Sequence, residues 1–170
     1  MSDGAGKVVV GISSSLSGPE ALRFAIAEAR RRQVPLEAVR PWSYNGSVRT
    51  PPLRKWERVL ANRTRRAIIG TFDEAVGEMP RDLEVLARAA QGVPALTLKD
   101  SVESPRDLLV IGTGRRWPAG GVVRGSHGAA CPVVVVPRPE LARAAGGRMA
   151  ARQMLREAAE ILENSRGFTR

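Results

Sequence analysis

The apolar positions of this chain fall into five short runs, and the stretches between them carry a helical period. Residues 7–12, Lys-Val-Val-Val-Gly-Ile, form a continuous apolar run, the pattern of a strand buried on both faces of a parallel sheet. Ser17-Gly-Pro-Glu20 follows with capping-box spacing, in which the Ser17 hydroxyl would take an N–H of the first turn and Glu20 would reach back. Leu22, Ala25, Ile26 and Ala29 then share one helical face. Arg30-Arg-Arg32 stand where cations favour the negative end of the helix dipole, and Val34-Pro35 stops the helix. Residues 36–41 read as strand two, ending at Trp42, and 43–52 as a loop rich in Ser, Pro, Asn and Gly. The period from 53 to 78 predicts the longest helix. Residues 83–89 read as strand three, and Gly92-Val-Pro94 opens a short helix carrying Ala95, Leu98 and Val102. Residues 107–111 form strand four and 131–136 strand five. This alternation predicts an α/β fold: a five-stranded, parallel, doubly wound sheet with helices on both faces, joined by right-handed crossovers.

Composition narrows the function classes. At 170 residues the chain can bury one sizeable core, and its longest apolar runs are strand-sized, too short to span a membrane. The N-terminal residues Met1–Lys7 hold no apolar segment before a cleavage site, so a cytoplasmic protein is expected. One cysteine, Cys131, excludes an intrachain disulfide and a thiolate cluster. One histidine, His127, four residues before it, has no third or fourth partner to complete a metal site. The net charge of +10 comes from 24 arginines against three lysines, Lys7, Lys55 and Lys99. That balance suits a solvated arginine-rich surface in a protein with abundant Ala, Val, Gly and Pro. A polyanion-binding module for nucleic acid is the sharper reading. Against it, Trp42, Tyr44, Trp56 and Trp117 are not interleaved with the basic residues as a stacking platform requires.

Four segments in this order, Val8-Val-Val-Gly-Ile-Ser-Ser-Ser15, Ala87-Arg-Ala-Ala-Gln-Gly92, Asp107-Leu-Leu-Val-Ile-Gly112 and Cys131-Pro-Val-Val-Val-Val-Pro137, resemble the universal stress protein family over residues 7–138. The resemblance implies a Rossmann-like five-stranded sheet that binds ATP in some members and not in others. Binding members use a Gly-x2-Gly-x9-Gly-Ser/Thr loop after strand four, whose amides cradle the phosphates, and an Asp at the end of strand one that contacts the nucleoside. Here Ser13 stands where that Asp would be, exchanging a charged acceptor for a neutral one.

The loop fits the family pattern in two ways. If spacing is kept, Gly112-x2-Arg115-x9-Gly125-Ser126 has the right length with Arg115 at the second glycine, and only four residues remain before Cys131. If the helix is kept, 122–130 matches the family's segment ending in His-x-Ala-x-Cys-Pro, Gly120-Gly121 falls near the usual Gly-Ser, and the loop is several residues short. The second placement is favoured because a parallel crossover needs about a dozen residues. The candidate nucleotide or anion site is therefore Ser13, Gly112, Gly114, Arg115, Gly125 and Ser126, with Arg116 and Arg124 adding charge nearby. For Gly112 and Gly114 a strand-exit turn at positive φ competes with a phosphate role.

No Asp or Glu occurs between Gly112 and Ala130, so neither a metal-holding carboxylate nor a base for ATP hydrolysis is at hand, and no enzyme is expected. Residues 139–170 extend past the resemblance as a second segment. In it Ala151, Met154, Leu155, Ala158, Ile161 and Leu162 make a narrow apolar stripe on an extra C-terminal helix. Family members commonly dimerise through strand five, which implies a homodimer through residues 132–136, with helix 148–163 packing in its own subunit or at the interface. The combined expectation is a non-catalytic, homodimeric regulatory protein of the stress-response type, with ATP binding weak or absent. ATP sensing is the alternative, and polyanion binding the second alternative.

Overall fold

The computed structural model describes residues 6–13, 17–42, 53–113 and 128–137, with side chains omitted at 53–56. The chain divides at Arg138 into two units, and all of the described residues lie in the first. Five strands, β1 (Val8–Gly11), β2 (Leu36–Trp42), β3 (Val85–Gln91), β4 (Leu108–Gly112) and β5 (Val133–Val136), form one all-parallel sheet in the order β3-β2-β1-β4-β5. Three helices, α1 (Gly18–Arg32), α2 (Leu53–Val76) and α3 (Pro94–Asp100), connect the first four strands.

This order dictates which face each helix covers. The steps from β1 to β2 and from β2 to β3 run the same way, so right-handed crossovers put α1 and α2 on one face. The step from β3 to β4 runs back across the sheet and puts α3 on the other. Leu22, Ile26 and Ala29 of α1 and Ile68 and Phe72 of α2 accordingly pack with Val8, Val10, Leu36, Ala38 and Val110. On the opposite face Leu98 of α3 packs with Val9, Val39, Leu109 and Ile111. The central strands β1 and β4 are buried on both faces, which is why their sequences read as unbroken apolar runs. The edge strand β3 is wetter, and Leu86 is 57% exposed there.

Several boundaries differ from the periodicity. Strand three is shifted two residues, to 85–91, because pairing with β2 sets its register from Leu36–Val85 to Trp42–Gln91; Leu83 still packs on the core from the preceding loop. Strand four ends at Gly112, strand five starts at Val133, α2 stops at Val76, and α3 stops before Val102. The helix expected over 122–130 does not reach its last residues. Gly128 has φ +83° and 128–131 are turn and irregular, while 122–127 lie outside the described residues.

The capping box at α1 is absent. Ser17 has helical dihedrals (φ −85°, ψ −7°) and makes no side-chain cap, and Glu20 pairs with Arg23 one turn on instead of reaching back. The helix closes at Gln33, which adopts a left-handed conformation (φ 56°) and hydrogen-bonds to the last carbonyls. Its terminal arginines are paired: Arg30 grips Asp82 with two bonds (2.8 and 2.9 Å), and Arg31 and Arg32 share Glu28. The Arg31 guanidinium and then that of Arg32 hold the Glu28 carboxyl at about 2, down from 4.5. A depressed acid contributes stability above its ordinary pKa, and that contribution is lost as pH falls through the folded value. Glu28→Gln should therefore flatten the acid limb of the stability curve between about pH 4.5 and 2. At pH 7, urea titration should show a loss of under about 1 kcal/mol, because both arginines meet water.

At the amino edge of the sheet the polar groups are buried and matched. Glu37 on β2, 4% exposed, receives Lys7 Nζ at 2.8 Å and Arg88 Nε at 2.6 Å. Arg88 also donates to Ser101, whose hydroxyl turns to the Thr97 carbonyl. Asp107, just before β4, accepts the backbone N–H groups of Lys7, Glu103 and Ser104.

Candidate functional site

In an open parallel sheet, ligands sit beyond the carboxyl ends of the strands where the strand order reverses, which here is between β1 and β4. Three segments meet there. The β1 exit runs through Ile12, whose N–H bonds to the Val39 carbonyl, to Ser13. The β4 exit runs from Gly112 to Thr113, whose N–H bonds to the Val136 carbonyl of β5. Between them α1 begins at Ser17-Gly18. The fully buried Ser17 donates its hydroxyl to the Thr113 carbonyl at 2.5 Å, so the start of α1 is tied to the exit of β4.

Two glycines allow this approach. A Cβ on Gly112 would lie 2.7 Å from the Ser17 carbonyl oxygen and 2.9 Å from its hydroxyl. A Cβ on Gly18 would lie 2.5 Å from the Ser13 carbonyl oxygen. Gly112 is not among the positive-φ residues, so the strand-exit turn expected of it does not occur, and the residue is needed for its missing side chain. The local reason is that β4 must continue straight to pair Gly112 with Val136 while α1 crosses its end.

Of the residues marked in the sequence, Ser13 and Gly112 converge through the Ser17-Gly18 turn. Gly114, Arg115, Gly125 and Ser126, together with Arg116, Trp117, Arg124 and His127, lie outside the described residues. The capping-box spacing of Ser17 conceals this role, although its flanking Gly18 and the distant Gly112 are the signal of a close crossing. Cys131 packs beside the second cluster at the start of β5; burial pushes its thiol up, and its Sγ donates weakly to the Pro132 carbonyl.

An open groove of about 500 Å³ lies at the opposite, amino edge, lined by Lys7, Pro35, Glu103, Arg106 and Asp107 among others. Lys7 is committed to Glu37 and Glu103, and the Asp107 carboxylate to backbone amides. The chemistry that could hold a ligand is at the carboxyl edge. Among the described residues no cluster of His, Cys, Asp and Glu could hold a metal, and no helix is long and apolar enough to cross a membrane.

The geometry agrees with what this chain is similar to. The model of the universal stress protein family matches residues 4–137. Universal stress protein UspA from Lactobacillus plantarum superposes with a TM-score of 0.59 at 22% identity, covering 78% of this chain and 97% of that one. A universal stress protein in complex with cAMP gives 0.55 at 21% identity, covering 80% and 100%. The universal stress protein from Archaeoglobus fulgidus in complex with dAMP gives 0.51 at 24% identity, covering 77% and 97%. No curated protein matches. A family match over most of the chain, on a parallel sheet of this order with its crevice between β1 and β4, makes this chain a member of the universal stress protein family.

Proposed function

We propose that this is a non-catalytic regulatory protein of the stress-response type, acting as a homodimer, whose crevice between β1 and β4 takes an adenine nucleotide weakly or not at all. The observation that carries the reading is the floor of that crevice. Ser13 ends β1 with a neutral hydroxyl, and the nearby Ser17 hydroxyl is drawn onto the Thr113 carbonyl, with Gly112 pressed against it. A nucleotide would find no carboxylate at Ser13, and the Ser17–Thr113 bond draws the start of α1 onto the β4 exit. The relatives in complex with cAMP and dAMP favour retention of some nucleotide affinity, which keeps nucleotide sensing as the second reading. The candidate ligand set is Ser13, Gly112, Gly114, Arg115, Gly125 and Ser126, and residues 1–138 form the domain that carries it. The dimer is assigned to β5, whose outer edge has no strand partner among the described residues and whose Val135 is exposed.

Calorimetric titration of the full chain with AMP and ATP, with and without magnesium, tests the reading. Dissociation constants weaker than about 100 μM, roughly 5.5 kcal/mol of binding, are expected. Tighter binding would establish the sensor instead. Light scattering at micromolar concentration should give the dimer mass, and a monomer mass removes the homodimer.

A further inference from the structure

One strand away from Ser13 lie two hydrogen-bond donors that the fold leaves unmatched. The indole Nε1 of Trp42 is closed off from solvent and has no hydrogen-bond partner among the described residues. Arg40, two residues earlier on β2, is partly buried, and no ion pair or hydrogen bond engages its guanidinium among the described residues. Burial pushes that guanidinium below the usual arginine range, and no carboxylate among the described residues offsets it. Other unpaired arginines, such as Arg58, Arg63, Arg65 and Arg66 on α2, are exposed and are satisfied by water. The nearest acid on β2, Glu37, belongs to the opposite face and is held by Lys7 and Arg88.

Strand alternation puts the donors together. Ala38 packs in the cluster under α1 and α2, so the period of two places Arg40 and Trp42 on that same face, at the carboxyl end of β2. The β2–β3 register sets Gln91 opposite Trp42, and Gln91 shares this face because Ala87 packs on the same cluster. Directly opposed residues stand about 5 Å apart, and successive residues on one face about 7 Å. A guanidinium fork, an indole N–H and a carboxamide therefore border one corner. In the β1–β2 register Gly11 pairs with Val39 at the last paired position, and Ile12, which follows, packs on the cluster that shares the Arg40 face.

We propose that Arg40, Trp42 and Gln91 form an oxyanion site at the carboxyl edge of β2 and β3, taking the phosphate monoester or carboxylate group of a small molecule. The guanidinium supplies paired, charge-assisted bonds. The indole N–H gains the acceptor it lacks, and the indole ring walls one side. The site stands whether or not the crevice between β1 and β4 binds a nucleotide, because a bare oxyanion suffices to fill it.

The test is a titration of the full chain with inorganic phosphate at constant ionic strength, followed by proton–nitrogen correlation of the tryptophan side chains. The chain has three tryptophans, and Trp42→Phe identifies the Trp42 signal by its disappearance. A saturable downfield movement of that indole N–H is expected in the millimolar range. Arg40→Gln should weaken it about tenfold or more, the loss of a charge-assisted pair, and the exposed Arg63→Gln should leave it unchanged. If Arg40→Gln does not fold, Gln91→Ala on the exposed rim serves, with a weakening of about threefold. Repeating the titration with acetate separates the two chemistries, and saturation by either supports the site. A Trp42 signal that stays still, follows chloride equally, or saturates unchanged in Arg40→Gln overturns it.

Discussion

Asp107→Ala should cost about 4 kcal/mol of stability, seen in urea titration as a large fall in midpoint with little change in slope. The carboxylate is 2% exposed and accepts three backbone N–H groups, from Lys7 at 3.0 Å, Glu103 at 2.8 Å and Ser104 at 3.0 Å. Hydrogen bonds to a charged acceptor are worth about 1.5–3 kcal/mol each and are not additive, which places the sum near 4 rather than at the arithmetic total. Alanine also leaves three amides without their acceptor, and water entering from the adjoining open groove recovers only part of the loss. Asp107→Asn keeps a carbonyl acceptor and loses the charge, so it should cost about half as much. Because Asp107 lies before β4, at the edge opposite the candidate crevice, the phosphate response of the Trp42 indole should survive in whatever fraction of the variant stays folded. A loss below about 1 kcal/mol would mean that the Lys7 and Glu103 segments find other acceptors.

The fold was legible because its central strands are buried on both faces. Val8-Val-Val and Leu108-Leu-Val-Ile admit no alternation to be misread, and the 3.6-residue stripe from Leu22 to Ala29 can only face a core. What the sequence hid depends on partners distant in the chain. Ser17 and Glu20 have capping-box spacing, but whether the hydroxyl caps its own helix or reaches the Thr113 carbonyl is decided by where β4 ends, 96 residues away. Glu37 looks like the solvent-facing residue of an alternating strand. It is buried because Lys7, just before β1, and Arg88 of β3 arrive to match it. The same holds at the candidate site. Ser13 and Gly112 could be marked from spacing, but the purpose of Gly112 could not, since positive φ and close approach select the same residue. Arg40 is one of 24 arginines, and only its place on the face it shares with Trp42, opposite Gln91 in the β2–β3 register, distinguishes it from those in water.

Gly112→Ala tests the crossing on which the candidate site is built, with an expected cost of about 3 kcal/mol, at the upper end of ordinary overpacking. The added methyl would stand 2.7 Å from the Ser17 carbonyl oxygen and 3.1 Å from its carbonyl carbon. Those are backbone atoms of a helix start, and the Ser17 carbonyl already accepts the Ala21 N–H at 2.9 Å, so they cannot rotate aside. Either β4 shifts and weakens its pairing with β5, or α1 is pushed off and the Ser17–Thr113 bond breaks. Two other glycines calibrate the result. At Gly11 the methyl would press on Leu98 Cδ1 and Cδ2, at 2.9 and 3.3 Å, with Ile111 Cγ2 in ordinary contact at 3.6 Å. Those are side-chain ends that can turn, so Gly11→Ala should cost about 1 kcal/mol. At Gly70, inside α2, nothing lies within 4 Å, and alanine should stabilise by up to about 1 kcal/mol through helix propensity. Urea midpoints in the order Gly70→Ala above wild type, then Gly11→Ala, then Gly112→Ala lowest are expected. A Gly112→Ala variant as stable as Gly11→Ala would mean that α1 and β4 have slack where they cross, leaving room between the strand exits for a nucleotide phosphate and removing the steric basis for weak binding.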